Sequence, residues 1–132
     1  MSKAKGSRLE RELLHMFWKK KWYCARMAGS GSMPLPCPDL LAGKKGRVLA
    51  LECKSARGDK RRYINKQQVE ELRAFAHGFG AEGWIAVRFN GMAWRFLTPQ
   101  ELGRSKSALY IDPPSVMERG LSFAELLAGK KS

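Results

Sequence analysis

Two acidic residues and a lysine occur at a spacing that can place them together on one surface of a sheet. Asp39 begins one hydrophobic run, and Glu52 and Lys54 end the next one. Because side chains of a strand alternate between its two faces, Glu52 and Lys54 point the same way. The Gly-Lys-Lys-Gly sequence at 43–46 is typical of a hairpin, which would bring Asp39 beside them.

Two carboxylates and an ammonium group in one place are suited to binding a hard divalent cation. Mg²⁺ prefers carboxylate oxygens and water, and a bound metal lowers the pKa of that water. Lys54 would then orient the water or stabilise charge on a phosphate. The alternative is a solvated ion pair between Glu52 and Lys54, because an isolated Glu-x-Lys is a weak motif.

The composition indicates one domain that binds a polyanion. The chain has 132 residues, enough for a single domain spanning 1–132, and a formal charge of +13. Neutralising phosphates releases counterions, so nucleic acid is the leading partner. An anionic membrane surface would attract the same charge, but the sequence has no strongly basic amphipathic helix with a broad apolar face.

The sequence also indicates where the protein works. It contains no apolar run of the roughly 20 residues that span a bilayer and no secretory signal, so we expect a cytoplasmic protein without membrane partners. Cys24, Cys37 and Cys53 are an odd number without a Cys-x-x-Cys pair. This pattern predicts reduced thiols rather than a disulfide framework or a zinc site.

Apolar periodicity and turn signals predict alternating helices and strands. A capping-box pattern at Ser7 and Glu10 predicts a helix to about Lys20, after a loose segment over 1–6. Strands are predicted at 22–27, 83–89 and 92–97. Helices are predicted from Asn65 to the glycines at 78 and 80, at 98–101 and at 122–127. The remaining segments are a loop over 104–119 with a strand near 109–111, and a loose tail at 130–132.

The order of these motifs resembles a known family. Pro38-Asp39 with Glu52-Cys53-Lys54 matches the PD-(D/E)xK nuclease signature. Together with residues 6–13, 26–30 and 94–96, this signature resembles the archaeal-type Holliday-junction resolvases, which have viral members. The resemblance implies an α/β fold with a restriction-endonuclease-like core, a mixed sheet of about five strands flanked by helices.

The same resemblance implies an activity. The family comprises homodimeric DNA endonucleases that recognise four-way junctions and cut two opposing strands with Mg²⁺, for which Mn²⁺ is expected to substitute. No other small-molecule cofactor is expected. Cutting of flaps, mismatches or plain duplex by a related nuclease is one alternative. A non-catalytic architectural DNA-binding protein is another, although carboxylates facing phosphate argue against it.

The resemblance also assigns roles to residues. Asp39 and Glu52 would hold the metal, helped by Glu10 and the backbone carbonyl of Cys53, and Lys54 would orient the attacking water. Glu10 has the capping box as its alternative role. Ser30 is favoured over Ser32 as the functional serine because it follows Ala28-Gly29, but both fit. Phe75 and Phe79 are either core residues or dimer contacts. Basic residues are expected to contact DNA, namely Arg11, Arg26, Arg57, Lys60, Arg61, Arg62 and Arg88.

Overall fold

A computed structural model describes residues 3–27 and 35–129, with side chains from Gly6 onward. Helices and strands alternate along the chain. The helices are α1 (Lys3–Lys19), α2 (Lys66–Phe79), α3 (Pro113–Arg119) and α4 (Phe123–Ala128). The strands are β1 (Tyr23–Arg26), β2 (Leu40–Lys44), β3 (Arg47–Ala56), β4 (Arg62–Ile64), β5 (Glu82–Phe89), β6 (Arg95–Leu97), β7 (Gly103–Arg104) and β8 (Leu109–Ile111).

The central element is a five-stranded mixed sheet in the order β1-β2-β3-β5-β6. β1, β2 and β3 are antiparallel neighbours, and β5 and β6 form a hairpin. β3 and β5 are parallel, because the chain between them returns through α2. This mixed sheet, flanked by helices, confirms the predicted α/β fold.

The two faces of this sheet are covered by different helices. On one face, Leu13 and Phe17 of α1 pack with Leu49 and Leu51 of β3. On the other face, Leu72 of α2 belongs to a cluster with buried β5 residues. α1 and α2 therefore lie on opposite sides of β3, and successive side chains of β3 face one helix or the other.

Several predicted boundaries are confirmed. Asn65 caps α2, since its Oδ1 accepts a hydrogen bond of 3.1 Å from the Gln68 backbone N–H. α2 ends at Gly80, whose φ of +82° suits the left-handed cap. Thr98 and Ser122 cap the short helical turn at Pro99–Glu101 and α4 with capping boxes.

The predicted start of α1 is wrong. The helix begins at Lys3 and passes through Ser7, so residues 3–6 are helical and Ser7 does not cap the helix. Gly6 is buried in its first turns, although glycine has a low helix propensity. β6 likewise begins at Arg95 rather than at residue 92, because a turn closed by Met92 N–H and the Phe89 carbonyl precedes it.

A second, three-stranded sheet in the order β4-β8-β7 was not predicted. β8 was expected, but β4 and β7 are too short to show an alternating pattern. The loop prediction over 104–119 is also wrong at α3, where Asp112 Oδ1 accepts 2.9 Å from Ser115 N–H. Proline is tolerated in a first helical turn, which explains why Pro113 and Pro114 do not prevent this helix. None of the helices within 3–27 and 35–129 is long and apolar enough to cross a bilayer.

Candidate active site

The β2–β3 hairpin brings Asp39 to Glu52. Leu40, the first residue of β2, pairs with Leu51. Asp39 N–H donates to the Leu51 carbonyl at 3.0 Å, and its Oδ2 accepts 2.8 Å from Cys53 N–H. The backbone on both sides of Glu52 therefore holds Asp39, and the expected meeting of the two carboxylates occurs.

Lys54 connects Glu52 to α2. Its Nζ lies 3.7 Å from Glu52 Oε2, and it donates a hydrogen bond of 2.8 Å to Gln68 Oε1. The Lys54 and Glu52 side chains are only 10% and 16% exposed. Both groups are therefore largely shielded from water, and a role for them beyond this ion pair stays a prediction.

The carboxylates are destabilised as anions. Burial raises the pKa of Asp39, and the charge of Glu10 adds to this, while the hydrogen bond from Cys53 N–H opposes it. Burial, followed by the charge of Asp39, raises the pKa of Glu52 to about 7, although Lys54 opposes the shift. A divalent cation between the two groups would relieve the cost of both charges.

This donor set fits Mg²⁺ better than a metal that requires a full protein cage. Among the described residues, no three His, Cys, Asp or Glu side chains are gathered as metal ligands. Mg²⁺ usually takes one or two carboxylates and completes its shell with water and substrate phosphates. The Cys53 thiol is buried with the α1-side core, and burial raises its pKa well above the usual value, so it offers no thiolate.

Glu10 is close to the carboxylates but bound to another residue. Its Oε1 accepts 2.8 Å from Arg26 Nε, and Ser7 Oγ accepts 2.8 Å from Arg26 Nη2. The capping-box alternative for Glu10 is wrong, since both α1 side chains hold Arg26 instead. The charge of Glu10 still reaches the site, because it raises the pKa of Asp39 and of Glu52.

Arg88 belongs to a second network between α1 and the β5–β6 hairpin. Arg88 Nη1 donates to Glu12 Oε1, which also accepts 2.8 Å from Trp94 Nε1. Arg88 Nε donates to the Met92 carbonyl at 2.7 Å. Sequence reasoning missed Glu12, although it lies in the Glu-Arg-Glu run that pointed to Glu10.

The other expected DNA contacts divide into two groups. Arg11, Arg57 and Lys60 are exposed, the last two in the β3–β4 connection. Arg61 stacks at 3.7 Å on the Tyr110 ring, and Arg62 Nη1 donates to the Ser55 carbonyl. Arg61 and Arg62 thus have intramolecular partners as well as positive charge near the site.

The remaining predicted residues lie on α2 or outside the described segments. Ser30 and Ser32 fall within 28–34, outside the described residues. Phe75 is partly buried, while Phe79 is 55% exposed. Their rings stack with centroids 5.2 Å apart, so α2 presents an aromatic pair at its surface.

A mixed α/β sheet that holds an Asp directly before β2 and a Glu and a Lys on the neighbouring strand β3 defines a nuclease of the PD-(D/E)xK class. A family profile described as "Archaeal holliday junction resolvase (hjc)" matches residues 1–132. The chain belongs to the archaeal Holliday junction resolvase family.

Individual relatives agree with this assignment. The "Crossover junction endodeoxyribonuclease Hjc" of Archaeoglobus fulgidus is 44% identical over 128 residues, covering 97% of this chain and 92% of the relative. The protein of the same description from Methanocaldococcus jannaschii is 39% identical, covering 82% and 76%. The solved structure of the A. fulgidus protein, titled a Holliday junction resolvase from an archaeal hyperthermophile, superimposes with a TM-score of 0.84 at 38% identity, covering 92% and 98%.

Proposed function

We propose that this protein resolves four-way DNA junctions by hydrolysing phosphodiester bonds in two opposing strands. The observation that carries the proposal is the position of Asp39, fixed by Cys53 N–H beside the Glu52–Lys54 pair. The family membership of the chain supports the choice of a branched substrate. The formal charge of +13 suits a phosphate backbone.

Asp39 and Glu52 would hold Mg²⁺, with Mn²⁺ as a substitute, and the Cys53 carbonyl would be a further ligand. A metal held there would supply a bound water of lowered pKa and a positive charge beside the phosphate oxygens. Glu10 lies close enough to adjust the charge of the site, but its hydrogen bond from Arg26 makes a supporting role more consistent than direct ligation.

Lys54 would hold the attacking water or a phosphate oxygen. Its hydrogen bond to Gln68 and its proximity to Glu52 fix the ammonium group before DNA binds. Arg26 donates hydrogen bonds to Glu10 and Ser7, and the segment that contains Ser30 follows it in the sequence. We assign that serine and the exposed Arg11, Arg57 and Lys60 to contacts with the phosphate backbone.

Paired cutting requires two sites, so we infer a homodimer. The exposed Phe79 and the stacked Phe75 form an apolar surface on α2 that a second copy would cover. Two-fold symmetry would then relate the two active sites to the two cut strands. The protein would act on DNA in the cytoplasm.

A panel of labelled substrates tests the proposal. Four-way junction, flap and linear duplex are incubated with the protein, with Mg²⁺ and with EDTA, and Asp39→Asn serves as the inactive control. We expect cleavage of the junction alone, dependent on Mg²⁺ and absent in the control. Preferential cutting of flaps would indicate another branched-DNA nuclease. If the protein binds DNA but does not cut it with any added metal, it would be an architectural protein.

A further inference from the structure

A second cationic surface lies at the end of the sheet opposite the carboxylates. Lys20 and Lys21 follow α1, Lys44 is the last residue of β2, and Lys45 begins the β2–β3 turn. Lys44 Nζ donates to the Lys20 carbonyl at 3.3 Å, which joins the two segments. Lys20, Lys44 and Lys45 line a cleft of about 440 Å³, and we call the four residues the distal lysine surface.

Lys21 occupies a backbone position that normally selects glycine. Trp22 N–H donates to the Phe17 carbonyl and Lys21 N–H to the Trp18 carbonyl, each at 3.0 Å. This pattern is a Schellman motif that ends α1, with Lys21 at the left-handed position and a φ of +67°. A lysine is strained there, whereas glycine is not.

Lys45 repeats this feature in the neighbouring turn. Lys45 and Gly46 have φ values of +49° and +84° and form the two-residue connection between β2 and β3. Asparagine or glycine is the preferred first residue of such a turn. In the described part of the chain, Lys21 and Lys45 are the non-glycine residues with positive φ, and both belong to the distal lysine surface.

In this surface Lys20, Lys21 and Lys45 are exposed and Lys44 is half-buried. Within 3–27 and 35–129, none of its four lysines forms an ion pair with a carboxylate. Arg47, beneath them, is already bound to Glu82 at 2.7 Å and to the Leu126 carbonyl at 2.7 Å. Lys21 and Lys45 therefore combine a left-handed backbone with a charge that no carboxylate of the described residues pairs.

We propose that the distal lysine surface binds the phosphate backbone of a duplex arm away from the point of cleavage. The five steps of β3 from Arg47 to Glu52 span about 16 Å, which equals the length of roughly five base pairs at 3.4 Å per pair. This inference rests on the proposed function, since it assumes that the substrate is DNA with arms. If the test shows that this surface does not bind DNA, an acidic protein is the alternative partner.

A double variant, Lys21→Gly with Lys45→Asn, tests the proposal because it separates strain from charge. Both substitutions suit left-handed backbone, so we expect a higher melting temperature than that of the wild type. Junction binding without metal should nevertheless weaken on the order of tenfold, with the slope of log affinity against log salt smaller by about 1.8. Single-turnover cleavage at saturating protein should be unchanged.

Arm length and a matched control complete the experiment. The loss should occur with arms of about 15 base pairs and disappear with arms of about 4, which do not reach the surface. Arg104→Ala with Lys106→Ala removes two exposed charges from the β7–β8 region and should cause a smaller loss. Wild-type affinity of the double variant, or an equal loss in the control or with short arms, overturns the proposal. If the wild type binds duplex and junction equally but the double variant still loses duplex affinity, the distal surface stands and the junction preference fails.

Discussion

At the scale of single residues, the negative charges of Asp39 and Glu52 would favour the proposed metal binding and oppose DNA binding. Their anionic charges attract a cation but repel the phosphate that must approach. We therefore expect Asp39→Asn or Glu52→Gln to slow Mg²⁺-dependent cleavage by at least about a hundredfold while junction binding is unchanged or tighter. Cleavage assays and binding titrations measure both effects. Glu70→Gln, an exposed change on α2, is the matched control, and normal cleavage by either site variant contradicts the metal assignment.

The raised pKa of Glu52 gives a second prediction, for the metal-free protein. A folded pKa of about 7, against an ordinary value of 4.5, means that folding favours the protonated form. This contribution to stability is complete below about pH 4.5 and is lost as the pH rises through 7. Glu52→Gln should therefore be little different at pH 4.5 and more stable than the wild type by up to about 3 kcal/mol at pH 8. Denaturant titrations in EDTA that give parallel pH profiles would rule this out.

Lys54→Ala should behave differently from the carboxylate variants. It should also abolish cleavage, because the ammonium beside Glu52 is removed, but it should not tighten binding, since a positive charge near the phosphate is lost. Gln68→Ala provides a graded comparison, with reduced cleavage, because it removes only the hydrogen bond that orients Lys54. If Lys54→Ala cuts at the normal rate, the Glu52–Lys54 pair is only an ion pair without a role in catalysis.

The sequence predicted that Asp39, Glu52 and Lys54 lie close together, because local rules define their positions. A two-residue period places Glu52 and Lys54 on one face, and a hairpin brings Asp39 to them. Gln68, Ser7 and the pairing of Glu12 with Arg88 depend instead on how helices pack against distant strands. No local spacing rule contains that information.

At the scale of elements, segments with a periodic pattern or a capping signal were predictable, and β4 and β7 were not. α2 is framed by Asn65 and Gly80, which satisfy backbone groups at its two ends. β4 and β7 have three and two residues, so their strand structure comes from pairing with β8 rather than from their own pattern. The predicted start of α1 was wrong because the capping-box sequence pattern can also occur inside a helix, as it does at Ser7.

The aromatic pair on α2 gives a prediction at this scale. Replacing Phe75 and Phe79 together with alanine should weaken the proposed homodimer by at least about tenfold, because aromatic anchors dominate such interfaces. Analytical ultracentrifugation measures the monomer–dimer equilibrium. Met117→Ala, which truncates a 44% exposed side chain on α3, is the control. An unchanged dimer would place the interface on another surface.

At the scale of the whole molecule, charge and symmetry predict different selectivities. A charge of +13 by itself favours any duplex, with affinity that falls steeply with salt. A two-fold dimer adds a geometric condition, because both active sites meet phosphates only where DNA arms diverge across it. The affinity for any duplex could be predicted from the composition of the sequence. The geometric condition depends on the homodimer proposed from the exposed aromatic pair of α2.

The most direct measurement of the central claim is a competition assay with a four-way junction in which each strand is labelled in turn. The protein and Mg²⁺ are added at roughly physiological salt in the presence of excess unlabelled linear duplex of the same length. We predict that the junction is still bound and that two opposing strands are cut within one binding event, with no cutting by Asp39→Asn. Equal competition by the duplex, or a nick in one strand without its symmetric partner, would contradict the assignment of junction resolution.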